Sequence, residues 1–181
     1  MTTFIALLRG INVSGKNRIR MQELKISIES LKLSGVETYI QSGNVIFDCE
    51  GIDPENLSGL IEGKIVQSFG TPLQVLLRDL DNLKRIVENN PFHPEEKFNP
   101  AKLHITFLSQ APRLQETMLS GNQNGDEFQR KGREVYLYCP DGYGRTKFSN
   151  TYFEKVMGVP ATTRNWKTVN ALIEIANKRV S

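Results

Sequence analysis

Residues 9 to 16 read Arg-Gly-Ile-Asn-Val-Ser-Gly-Lys and follow the apolar run Phe4-Ile5-Ala6-Leu7-Leu8. A strand that opens into two glycines, an Asn, a Ser and two cations has the chemistry of an anion site. Glycine lets backbone N–H groups approach a ligand, and Arg and Lys add charge. The stretch Gly10 to Lys16 satisfies G-x-x-x-x-G-K, the first part of a Walker A loop, but Asn17 stands where a Ser or Thr would hold Mg²⁺. A nucleotide-hydrolysing core also needs a helix beginning at that Gly-Lys on a largely parallel sheet, and here the helical stripe begins only near Met21. Two further polar segments carry candidates: Gln41-Ser42-Gly43-Asn44, and Thr162-Thr163-Arg164-Asn165-Trp166-Lys167-Thr168. In the latter, Asn165 is placed to cap the last helix and Trp166 to cover the core. Arg164 has neither task and is expected to reach an acid or a bound anion.

The elements that must position these residues follow from periodicity and punctuation. Thr3 to Leu8 reads as a strand. Met21, Leu24, Ile28 and Leu31 recur at helical spacing up to Gly35, and two β-rich runs flank Ser42-Gly43-Asn44 as a hairpin. Asp53-Pro54 opens a helix with Leu57, Leu60, Ile61, Ile65 and Phe69 as its stripe and Gly70 as its stop; Pro72 to Leu77 is a strand. Residues 78 to 101 read as a linker with a short helix, capped by Asp79 or Asp81. The order then repeats: a strand at Leu103, Ile105 and Phe107, and a helix from Pro112 with Leu114 and Met118. Next come paired runs around Lys131-Gly132, a helix through Tyr152 to Met157, and a short strand Ala161 to Thr163. An added helix carries Val169, Leu172, Ile173 and Ala176. The class is α+β: two tandem ferredoxin-like βαββαβ units with antiparallel sheets, residues 1–77 and 102–181, the second ending in the C-terminal helix. In such a unit the loop after strand one and the turn between strands two and three lie at the same end of the sheet. Arg9 to Asn17 should therefore meet Gln41 to Asn44.

With 39% hydrophobic and 24% charged residues, the chain is globular, and its apolar runs fall far short of the roughly 20 residues that span a bilayer. No secretory signal is read at the start, and Cys49 and Cys139 form neither a disulfide framework nor a metal spacing, so a cytoplasmic setting is expected. His93 and His104 read as ordinary surface or strand residues. The net charge of +3 is too small to imply nucleic acid. Its cations gather in two places, however: Arg9, Lys16, Arg18, Arg20 and Lys25 with Glu23 among them, and Arg130, Lys131, Arg133, Arg145 and Lys147 with Glu134 and Asp141. Phe4 and Phe47 occupy the strands on which RNA-binding ferredoxin-like domains stack bases, but the RNP1 pattern is absent; Tyr136 and Tyr138 alternate onto one face beside Arg133.

Four segments occur in order across the chain: Arg9-Gly-Ile-Asn-Val-x-Gly-Lys16, Thr38-Tyr-Ile-Gln-Ser-Gly-Asn-Val-Ile-Phe47, Pro91-Phe92, and Thr162-Thr-Arg-Asn-Trp-Lys-Thr-Val169. Together they resemble the bacterial domain-of-unknown-function 1697 family over essentially the full length. That family usually has Gly-Gly before the Lys, where this chain has Ser14-Gly15. The resemblance implies a pair of ferredoxin-like domains and no established activity. It marks Arg9, Gly10, Asn12, Gly15, Lys16, Gln41, Ser42, Asn44, Arg164 and Asn165 as signature positions, and Ser14 joins them as a residue able to line an anion site. The expected role is binding of an anionic small molecule or nucleic acid, with no cofactor and no metal. The alternatives are a phosphate-handling enzyme of acylphosphatase-like type, with Arg9 clamping a phosphoryl group, and a protein-interaction or structural role.

Overall fold

The computed structural model describes residues 1–13, 15–92, 98–113 and 120–180. The chain divides into two compact units, one of Met1–Leu83 with Leu172–Ser181 and the other of Lys84–Ala171. The fold is mixed α/β with two antiparallel sheets and, among the described residues, five α-helices including a C-terminal one.

In the first unit, β1 (Thr2–Leu8), β2 (Ser34–Tyr39), β3 (Asn44–Cys49) and β4 (Val75–Asp79) form a sheet in the order β2-β3-β1-β4, every pair antiparallel. Helices α1 (Met21–Glu29) and α2 (Pro54–Phe69) supply Leu24, Ile28, Leu57, Ile61 and Ile65 to a core with Phe4, Ala6, Leu8, Val45 and Phe47. The alternate residues Ile5, Leu7 and Ile46 are fully buried too, so β1 is apolar on both faces. Asp53 caps α2 as expected, accepting from the Glu55 and Asn56 amides, and Gly70 ends it at φ +65°.

Several expectations for this unit change. Helix α1 stops at Glu29 rather than running to Gly35, because the chain turns at Lys32 with φ +61°. Gly35 instead sits in β2 at φ +59°, where the β2–β3 register shifts between Ser34 and Glu37; a bulge needs that freedom. Leu60 is 49% exposed, since the buried line Leu57-Ile61-Ile65 advances by four residues and leaves Leu60 at its margin. Strand β4 begins at Val75, after Pro72, whose ring offers no N–H to a ladder.

In the second unit, α3 (Leu80–Glu88), begun in the first, is capped by Asp79, which accepts from the Asn82 amide at 2.7 Å. Strands β5 (Leu103–Leu108), β6 (Ser120–Gln123), β7 (Asp126–Lys131), β8 (Glu134–Tyr138) and β9 (Ala161–Asn165) pair in the order β6-β7-β8-β5-β9. β6 is an edge strand not expected from the sequence. Its hairpin to β7 turns on Asn124 and Gly125, at φ +54° and +86°, the pair of positive angles that suits an Asn-Gly turn. Of the helix expected from Pro112 through Leu114 and Met118, Pro112 and Arg113 are described and not helical, and the rest lies outside the described residues, as does His93. Helix α4 (Asn150–Met157) is capped by Ser149 and ended by Gly158. Phe128 meets Phe148 and the α4 residue Phe153 edge to face, at 4.8 and 5.1 Å, in the core of this unit. Asn165 caps α5 (Trp166–Val180), accepting from the Thr168 amide at 2.7 Å.

The join into α5 distributes its tasks differently from expectation. Arg164 is buried, at 6% exposure, while Trp166 is only partly so. The Arg164 Nη1 donates to Thr162 Oγ1 at 2.8 Å and to the Thr163 carbonyl at 2.9 Å. Burial holds its guanidinium down to about 10, opposed by the nearby Tyr143. Arg164→Ala is accordingly expected to cost about 1–3 kcal/mol in urea unfolding, through the partners it strands. Trp166→Ala should fall short of the roughly 3–5 kcal/mol of a buried Trp.

Candidate functional site

Strand β1 ends where three segments of the first unit converge. The Leu8 amide donates to the Gly43 carbonyl and the Arg9 amide to the Gln74 carbonyl, each at 2.9 Å. The chain then makes a tight loop. Gly10, Asn12, Gly15 and Asn17 all take positive φ, and Asn17 Nδ2 donates back to the Gly10 carbonyl at 3.1 Å. Asn12 ties this loop to the neighbouring turn. Its Nδ2 donates to the Ile19 carbonyl at 3.0 Å and the Gln41 carbonyl at 2.9 Å, and its Oδ1 accepts from the Ile19 amide at 2.9 Å. Both amide hydrogens are engaged. The β2–β3 turn is locked in the same manner by Asn44, fully buried, whose Nδ2 donates to the Tyr39 carbonyl at 2.9 Å and Ser42 Oγ at 3.1 Å. Loop and turn therefore meet at one end of the sheet.

Between them lies an open cleft of about 1100 Å³. Asn12, Gly15 and Gln41 line it, together with Arg18, Arg20 and the first turn of α1. That turn has no side-chain cap: Arg20 stands at the cap position, and the first helical bond runs from the Leu24 amide to the Arg20 carbonyl. The preceding amides, on Met21, Gln22 and Glu23, have no partner within the helix, and all three residues line the cleft. Uncapped amides and the helix dipole favour negative charge there. Glu23 opposes this, but its carboxylate lies 3.6 Å from Arg20, with both side chains in solvent.

Of the positions singled out in the sequence, then, Asn12, Gly15 and Gln41 border the cleft, whereas Arg9, Gly10, Lys16, Ser42 and Asn44 are not among its lining residues. Ser14 lies outside the described residues. Arg164 bonds to Thr162 and Thr163, and Asn165 to the Thr168 amide, all in the second unit. Arg18 and Arg20 are the site residues that motif reading passed over; their signal was the run of cations from Arg9 to Lys25.

The second unit holds a polar cluster on its helix side. Thr163 Oγ1 donates to Asn150 Oδ1 at 2.6 Å, receives Tyr143 OH at 3.1 Å and lies 2.7 Å from Thr106 Oγ1, while His104 stacks on Tyr143 at 5.0 Å. Burial, with help from the Lys102 charge and against a hydrogen bond to the Lys102 carbonyl, holds His104 below its usual value. Burial likewise raises Tyr143. The aromatics considered as base-stacking platforms are packed instead. Phe4 stacks on Phe47 inside the core, Tyr136 OH donates to the Ile86 carbonyl at 2.8 Å, and Tyr138 meets Phe98 edge to face at 4.8 Å. Among the described residues no cluster of His, Cys, Asp and Glu could hold a metal ion, and no helix is long and apolar enough to cross a membrane.

A family model described as protein of unknown function (DUF1697) matches residues 1–136. A solved structure, the conserved bacterial protein SP0830 from Streptococcus pneumoniae, is similar with a TM-score of 0.73 at 22% identity. The match covers 97% of this chain and 98% of that one, a likeness of fold. No curated protein matches the chain.

Gly43 has φ +79°, and a Cβ there would lie 2.6 Å from Ile11 Cδ1 and 3.0 Å from Leu8 Cβ. Gly43→Ala is thus expected to destabilise by about 1–3 kcal/mol in denaturant unfolding. His104 gives a pH signature. Its folded value lies below its unfolded one, so stability is present above about pH 6.5 and declines as the pH falls through the folded value. Replacing it with Gln should flatten that acid limb in melts recorded from pH 7 to 5.

Proposed function

The chain belongs to the DUF1697 family of proteins of unknown function, and from that premise we propose that it is a binding module for an anionic, phosphate-bearing ligand. One observation carries the reading: the uncapped first turn of α1 opens on the same cleft as Arg18 and Arg20. Amides at a helix N-terminus fit phosphate oxygens, and guanidinium groups add bidentate donors. Asn12 and Asn44 act in this scheme as positioning residues, holding loop and turn so that the cleft stays open. The strand order β2-β3-β1-β4, and the order β7-β8-β5-β9 within the second sheet, support reading each unit as ferredoxin-like, the second with β6 added at its edge. A cytoplasmic setting accords with two buried free cysteines.

Thermal unfolding in the presence of inorganic phosphate, pyrophosphate and AMP tests the proposal. At ten times Kd a ligand adds about 1.4 kcal/mol, a shift of a few degrees in Tm. The shift should shrink as salt rises and should vanish in the Arg18→Gln, Arg20→Gln double variant. No shift with any of the three, or an undiminished shift in the variant, rejects the cleft as the site.

A further inference from the structure

The second unit contains a separate, smaller pocket of about 160 Å³. Gln123 and Asn124 of the β6–β7 turn, Asp126 at the start of β7, and Asp141, Arg145 and Lys147 from the chain after β8 line it, over the ring of Phe148. Asp126 is 9% exposed. Among the described residues no hydrogen bond or ion pair reaches its carboxylate. No unpartnered side-chain oxygen of the described residues is sealed from solvent, so the Asp126 carboxylate opens on the space that it lines. The residue is nine-tenths buried, so its carboxylate meets only the water of that space, and a cationic group placed there would be met by an unpaired acid. Arg145 and Lys147 border the same space, and their cationic groups have no ion pair among the described residues.

The charges select the occupant. An inorganic anion would face Asp126 and Asp141, and a simple cation would face Arg145 and Lys147. A divalent metal lacks a third carboxylate, His or Cys ligand among the described residues. A molecule with both charges satisfies both sides. The volume is that of about five waters, which limits the occupant to a few heavy atoms. We propose that this pocket binds the head of a small α-amino acid, its ammonium group on Asp126 with Asp141 and its carboxylate on Arg145 and Lys147. The amides of Gln123 and Asn124 can take either end.

Calorimetric titration of the full chain with glycine and alanine tests this, with methylamine and acetate as half-molecules at equal ionic strength. Saturable binding of the amino acids is expected, and none of either half-molecule. Asp126→Asn, nearly equal in size, should weaken glycine binding by roughly tenfold or more, as loss of a charge-assisted contact does. Because Asp126 is buried, its variant is first checked for a native melt. The Arg145→Gln, Lys147→Gln double variant, on exposed side chains, should weaken glycine similarly and carries the test if Asp126→Asn unfolds. Absence of saturable amino-acid binding overturns the proposal. Equal binding of acetate or methylamine, or unchanged affinity in the folded variants, overturns it as well.

Discussion

Burial of β1 on both faces is the constraint from which the first unit follows. Ile5, Ala6, Leu7 and Leu8 are fully buried, and the strand pairs with β3 on one side and β4 on the other. A shift of one residue would exchange the two sets of side chains and set them against the wrong packing. The register is therefore fixed, and so is the point at which the strand ends. Because Leu7 pairs with Asn44 and Leu8 with Val75, the chain after Leu8 emerges between the β2–β3 turn and the segment before β4. The cleft at that end is a consequence of the sheet.

The polar residues there divide into those that hold the backbone and those that face the cleft. Asn12 and Asn44 bond to carbonyls, and their neighbours adopt positive φ angles that need such support. Ile11 and Gly43 interlock beneath them. A Gly- and Asn-rich loop is thus explained first by turn geometry. Arg18, Arg20 and the first turn of α1 line the cleft together with Gln41.

The second unit shows the same division. Its Thr106, Tyr143, Asn150 and Thr163 cluster is bonded within itself, which suits a rigid element of the fold. The Asp126 pocket is different in kind, since its acids and cations surround a space rather than one another. The end of α5 contributes to the first unit by a third arrangement: Arg179 pairs with Glu37 and Asp48 at 3.2 and 3.3 Å, and Asp48 also accepts from Thr3 Oγ1.

Local signals were legible in the amino-acid sequence because they act over a few residues. Asp53-Pro54 and Gly70 bound α2, Gly158 ends α4, Asn165 caps α5, and the apolar run of β1 and the alternation of Leu103, Ile105 and Phe107 in β5 mark central strands. From the order of these elements even the meeting of the Arg9 loop with the Gln41 turn could be deduced. The Asn124-Gly125 hairpin was equally local and was available to the same reasoning. Tertiary structure decided which side of a polar residue faces solvent. Arg164 reads as a free cation beside a helix start, yet neighbouring strands bury it and Thr162 accepts from it. Arg18 and Arg20 read as surface charge, yet an uncapped helix end lies next to them. Nothing local marks Asp126, yet the fold buries the residue to 9% exposure and sets it in one pocket with Arg145 and Lys147. Caps and periodicities depend on neighbours in the chain, whereas burial and pairing of a charge depend on segments tens of residues away, whose position only the folded sheet supplies.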